Sequence, residues 1–217
     1  MLKENLARLK LRIADACARI NKDADKITLL CVTKGRSVSQ IKEAAGLGLK
    51  NIGENRVKEA LEKFKEIPGV SWHMIGHLQS NKVKEAVRIF DLIHSVDSLA
   101  LAEEIDKHAA GLGKIQDVLL EVKTSPEAAK FGILPFELAE VHRQVIKLRS
   151  IKVKGLMTMA PLVSNQEEAR PCFAKLKQLR NELNPQWVLS MGMSDDFEVA
   201  IEEGADIIRL GRAIFEG

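Results

Sequence analysis

Short apolar runs and helical patterns alternate along this chain from end to end, and that order constrains its fold more than any other feature. The strand-like runs are 27–32, 50–52, 71–75, 92–96, 116–122, 153–157, 186–190 and 206–210. Between them apolar residues recur at helical spacing. One such set is Ile41, Ala44, Ala45 and Leu49; the next is Val57, Leu61, Phe64 and Ile67. A period near 3.6 marks a helix that buries one face, and a short apolar, partly β-branched run marks a strand covered on both faces. Regular strand–helix alternation predicts an α/β fold with a parallel sheet.

Eight strands separated by seven helices predict a single (β/α)8 barrel of TIM type over residues 1–217. No eighth helical pattern follows the last strand, which continues as "RAIFEG". An extra amphipathic helix over 4–21 (Leu6, Leu9, Ile13, Ala16, Cys17, Ile20) precedes the first strand and is expected to cover the place of the eighth. Pro171 falls inside the sixth helical pattern and predicts a start or kink there. The rival architecture is an open doubly wound sheet. It would bind a nucleotide at a Gly-rich first turn, and "TKGRSV" is not GxGxxG.

Composition narrows the function classes. A hydrophobic content of 46% fits a globular protein, and a net charge of +3 with basic residues spread along the chain gives no footprint for nucleic acid. No apolar run approaches the roughly 20 residues of a membrane span, and the charged N-terminus is unlike a signal peptide. Cys17, Cys31 and Cys172 have no CxxC spacing, which fits a reducing, cytoplasmic setting.

In a barrel the chemistry sits where strands end and helices begin. The first strand ends in "VTKG", delivering Lys34 to its tip, with Ser37 placed to cap the helix that follows. The other strand ends carry "GEN", "GHLQSNK", Ser95 with Asp97, Lys123 with Lys130 in "KFG", "MTMAP", "SMGMSDD" and "RLGR". The last two belong to neighbouring strands whose loops in barrels commonly hold phosphate through backbone N–H groups and hydroxyls. An amine facing a phosphate cradle suits a Schiff base with a phosphorylated aldehyde, of which pyridoxal 5′-phosphate is one.

Each feature also has a plain structural explanation. Lys34 taken alone reads as a solvated strand-end lysine, while "GEN" reads equally as a tight turn and "SMGMSDD" with "RLGR" equally as turn-and-cap chemistry. Asp195 and Asp196 suit a helix N-terminus. His73 and His77 are four apart, but the intervening "MIG" reads as a strand end, which argues against zinc. His94 reads as an ordinary packed or surface residue, and "KEALEKFKE" as a solvated helix face.

The motifs "VTK", "GENRVKEALEKF", "WHMIGHLQSNKVK", "HSVDS", "KFG", "GLMTMAP" and "LSMGMSDDFEVAIEEGADIIRLGRAIF" together resemble, in order and spacing, the YggS/PROSC family of pyridoxal phosphate homeostasis proteins. The resemblance spans roughly 27–215. It implies a barrel like the N-terminal domain of alanine racemase, with pyridoxal phosphate held as an imine on Lys34. It places phosphate contacts at Ser190, Gly192, Met193, Ser194, Gly211 and Arg212, an arginine by the pyridine nitrogen at Arg209, and Asn55 close to the cofactor.

An arginine beside the ring nitrogen keeps that nitrogen unprotonated and weakens the ring as an electron sink. Racemases of the related fold type use a tyrosine from a second domain, and this chain has no tyrosine. The expected function is therefore to hold and hand over pyridoxal phosphate within the cell, without robust catalysis. The expected molecule is a monomer that meets apo-enzymes transiently. A pyridoxal phosphate enzyme such as a weak amino-acid racemase is the alternative, and a sugar-phosphate aldolase or isomerase a third. Lys82 and Lys130 are candidates for a second lysine that assists release.

Overall fold

The computed structural model describes residues 1–125 and 131–216. Its eight strands are β1 (Thr28–Val32), β2 (Asn51–Glu54), β3 (Ser71–Met74), β4 (Leu92–Val96), β5 (Gln116–Glu121), β6 (Ile151–Met157), β7 (Val188–Ser190) and β8 (Ile207–Leu210). They form one closed parallel barrel in sequence order, and β8 returns to pair with β1 from Thr28↔Ile207 to Cys31↔Leu210. The open-sheet alternative is excluded by that closure.

The helices are α1 (Leu2–Ala18), α2 (Val38–Gly46), α3 (Val57–Phe64), α4 (Val83–Ile89), α5 (Leu99–Ala110), α6 (Leu138–Val145), α7 (Arg170–Leu183), α8 (Phe197–Glu202) and α9 (Arg212–Phe215). Ser37 caps α2 as expected, in a capping box with Gln40. Pro171 lies in the first turn of α7, so it starts that helix and does not kink it. Burial of apolar surface between helices and strands forms the main core, with Phe90, Phe173 and Phe197 fully enclosed.

One difference lies at the end of the chain, where a single helical turn, α9, follows β8. A turn that short buries little on its own, and α1 covers it. Asn5 of α1 donates its side-chain amide to the Ile214 carbonyl at 3.1 Å, and Leu2, Leu6, Leu9 and Ile13 are buried. Arg12 and Arg19 reach Glu198 and Glu202 on α8 at 2.9 and 2.6 Å. The N-terminal helix thus stands where an eighth barrel helix would.

The barrel interior is separate from this core. Leu30, Ile75 and Ile207 form a small apolar plug. Gly53 faces it: a Cβ there would sit 3.1 Å from Leu30 Cδ2 and 3.2 Å from Ile75 Cδ1. "GEN" is therefore not a tight turn. Gly53 and Glu54 are strand residues, and the glycine is there for space.

Candidate cofactor site

The C-terminal ends of β1, β2, β7 and β8 enclose a cavity of about 290 Å³. Its lining includes Lys34, Asn55, Met193, Ser194, Arg209, Gly211 and Arg212, with Val32, Ile75, Met159, Leu162 and Asp195. Seven of the nine residues singled out from sequence therefore converge on one space. Ser190 and Gly192 do not line it. Ser190 is fully buried beneath Arg209. Gly192 shapes the turn after β7, where its φ of 92° and the approach of Ala200 Cβ to 2.6 Å of any added Cβ leave room only for glycine.

Lys34 is exposed at the cavity edge, and the backbone on both sides of it is clamped. Buried Lys63 donates to the Thr33 carbonyl at 2.8 Å and to Glu54 Oε1 at 2.7 Å. Its third bond goes to Glu59 Oε1 at 2.6 Å, and the same oxygen accepts from the Gly35 N–H at 2.5 Å. Thr33 Oγ1 also donates to Glu54 Oε1, at 2.6 Å. "KEALEKFKE" is thus not a solvated face throughout: Lys63 is turned inward, because the i,i+4 spacing to Glu59 and the buried Glu54 give its ammonium charged partners. Burial raises the Glu54 carboxyl above its usual range, against the pull of Lys63 and Thr33.

Arg209 reaches the cavity from the barrel interior. Its guanidinium donates to Ser190 Oγ at 2.8 Å and to the Thr158 carbonyl at 2.8 Å. Burial pushes it down to about 10, against the opposing charges of Asp196 and Glu121. Glu121, which the sequence reading passed over, is buried and pushed up to about 7, first by burial and then by Asp97, with Arg209 opposing.

At the β7 and β8 ends of the cavity, Met193, Ser194 and Gly211 supply turn backbone, and Ser194 Oγ accepts from the Ala213 N–H at 3.3 Å. Arg212 pairs with Asp195, both exposed. Asp196 is the N-cap residue of α8, as the sequence predicts; it is also buried and accepts from the Met193 N–H at 2.5 Å, which ties the turn together. The amide oxygen of Asn55 is shielded from solvent and meets no hydrogen-bond donor among the described residues.

The two histidines weighed for zinc diverge. His73 bonds His94 inside the barrel at 2.9 Å, and His77 pairs with Asp97 at 3.2 Å at the rim. Among the described residues no group of His, Cys, Asp and Glu is arranged to hold a metal ion, and no helix is long and apolar enough to cross a membrane. The three thiols are buried, and among the described residues they form no disulfide. Lys82 is exposed and lines a second cavity, about 490 Å³, that adjoins the first through Asn55. Lys130 lies outside the described residues. His94, dismissed from sequence as ordinary, is fully buried next to Ser190. The available signal was its alternation with Leu92 along β4, which places it on the interior face.

Comparison with known proteins assigns the fold and the family. Residues 5–217 match the family model described as "Alanine racemase, N-terminal domain". The pyridoxal phosphate homeostasis protein of Aquifex aeolicus is 44% identical over 219 residues, covering 98% of this chain and 96% of the relative. The structure of PipY from Synechococcus elongatus with PLP bound superposes at a TM-score of 0.84 with 37% identity, covering 99% of this chain and 100% of that one. Alanine racemase of Clostridium difficile shares the fold at a TM-score of 0.78 and 15% identity, with 99% of this chain aligned to 58% of that one. The chain belongs to the alanine racemase N-terminal domain family and, within it, to the pyridoxal phosphate homeostasis proteins.

Proposed function

We propose that this protein holds pyridoxal 5′-phosphate in the cavity between Lys34 and the β7–β8 turns, and serves to store and supply it. The observation that carries the reading is the convergence of an accessible amine, a buried guanidinium and a turn-plus-hydroxyl cradle on one cavity of about 290 Å³. The donor set suits the ligand: backbone and Ser194 for the phosphate, Arg209 for the ring nitrogen, and the unsatisfied Asn55 oxygen for a donor on the ligand or a bridging water. When bound, the cofactor supplies an aldehyde. Lys34 would be the amine placed at the rim to hold that aldehyde. Gly35 and Thr33, clamped by Glu59 and Lys63, hold the Lys34 backbone at the rim.

The reading includes no robust turnover of amino acids. A guanidinium at the ring nitrogen withholds the proton that would make the ring a strong electron sink. Asp195, the one carboxylate among the described lining residues, is paired with Arg212. A cytoplasmic monomer that meets apo-enzymes transiently at this open rim fits such a role, with Lys82 beside the mouth as a site for steering an incoming phosphate.

The test is borohydride reduction of the protein loaded with pyridoxal phosphate, followed by peptide mapping. A pyridoxyl group confined to Lys34 is expected. Labelling scattered over surface lysines would overturn the assignment. Release of α-deuterium from a panel of amino acids separates the carrier from the weak racemase, and sustained exchange would favour the latter.

A further inference from the structure

Behind Arg209 the barrel interior contains a row of polar side chains that the proposed function does not use. It starts at Arg209, whose Nη1 donates to Ser190 Oγ at 2.8 Å. Ser190 Oγ lies 2.9 Å from His94 Nδ1. His94 Nε2 lies 2.9 Å from His73 Nδ1. His73 Nε2 lies 3.3 Å from Ser71 Oγ, and Ser71 Oγ donates to Asp91 Oδ2 at 3.0 Å. The row runs the length of the barrel, from the exposed carboxylate before β4 to the guanidinium in the cavity. Ser190 and His94 are fully buried, and His73 and Arg209 nearly so.

The two ends dictate the direction of every bond. A guanidinium only donates, so Ser190 accepts from Arg209, and its buried hydroxyl hydrogen is satisfied by donating to its other neighbour, His94 Nδ1. His94 Nδ1 is then the bare nitrogen, and Nε2–H donates to His73 Nδ1. From the other end, the Asp91 carboxylate only accepts, so Ser71 spends its hydrogen there and must accept from His73 Nε2–H. Both chains of reasoning assign the same tautomer, Nε2–H, to both imidazoles. Five hydrogen bonds therefore point one way, from a buried cation to a solvated anion. Such a row is cooperative, since each donor polarises the next.

We propose that His94, backed by His73, is a positioning residue for Arg209: the one-way row holds Ser190 Oγ as an acceptor and so fixes the guanidinium in the cofactor cavity. Without an acceptor at His94 Nδ1, the Ser190 hydroxyl loses the partner that orients it. One of the two bonds that hold the guanidinium then loosens, leaving the Thr158 carbonyl. Arg209 acts on the ligand, and the histidines act only through it.

The first experiment needs no ligand. In protein labelled with 15N-histidine, two imidazoles at neutral pH should show a bare Nδ1 and a protonated Nε2, with a scalar coupling across the His94 Nε2–H···Nδ1 His73 hydrogen bond. A doubly protonated ring, or Nδ1–H on either, would overturn the row. The second rests on the pyridoxal phosphate reading. His94→Gln should weaken binding of pyridoxal phosphate about tenfold, the equivalent of about 1.4 kcal/mol. It should leave the affinity for the analogue with CH in place of the ring nitrogen unchanged. Equal losses for both ligands would reduce His94 to general packing and overturn its role. In a Ser190→Ala background, His94→Gln should cost nothing further, because neighbours acting in series are not additive; additive losses would overturn the coupling. If His94→Gln does not fold, the wild-type coupling and the Ser190→Ala preference between the two ligands still decide the question. Failure of wild type to bind pyridoxal phosphate would count against the functional reading and leave the tautomer result standing.

Discussion

The Lys63 ammonium lies 2.7 Å from Glu54 Oε1, and the pair is sealed inside the protein directly beneath the loop that presents Lys34. A buried pair of this kind is weak evidence for stability against an apolar replacement, but breaking it from one side is costly. Its position suggests its use: Lys63 also holds the carbonyl just before Lys34.

Glu54→Ala should therefore lower the unfolding free energy by about 3 kcal/mol, the low end for a broken buried pair because Glu59 still meets Lys63. Glu59→Ala, at a half-exposed position, should cost closer to about 1 kcal/mol. Urea denaturation of both variants measures the difference, and equal effects would contradict the distinction.

Lys34→Ala should abolish the visible absorption of the protein mixed with pyridoxal phosphate while leaving its thermal unfolding nearly unchanged, since an exposed rim side chain contributes little to the core. Retention of the band would move the attachment elsewhere.

Phosphate contacts should dominate affinity. Pyridoxal, lacking the phosphate, should bind far more weakly than its phosphate ester, and Ser194→Ala should cost about 1–2 kcal/mol of binding. Fluorescence titration with both ligands is the check, and comparable affinities would remove the cradle from the argument.

Two buried groups give stability opposing pH dependences. Burial holds His73 down to about 4 from its ordinary 6.5, so its contribution is complete above 6.5 and lost as pH falls through 4. Glu121 is pushed up to about 7 from 4.5, so its contribution is complete below 4.5 and lost as pH rises through 7. Glu121→Gln removes only the second. Relative to wild type, its stability should rise by on the order of 2–3 kcal/mol between about pH 4.5 and about pH 8, measured by urea denaturation at each end. A constant difference between variant and wild type would show that Glu121 does not titrate this way.

The alternation of strands and helices, the capping box at Ser37 and the placing of Lys34 at a strand tip were all legible along the chain. Periodicity and capping are local physics, set by residues three or four apart. The same reading gives Lys63 as a solvated residue and His94 as an ordinary one, and leaves "GEN" open between a tight turn and part of the site. Each owes its environment to residues remote in sequence: Lys63 to the Thr33 carbonyl thirty residues back, and His94 to Ser190, ninety-six residues on. No period encodes such partners. The amino-acid order by itself determined that a barrel would form and that an amine and a glycine-rich turn would share its rim. Only closure of β8 onto β1 decided which polar groups would be buried together, because a polar side chain removed from water must take its hydrogen-bond partners from whatever strands the barrel brings beside it.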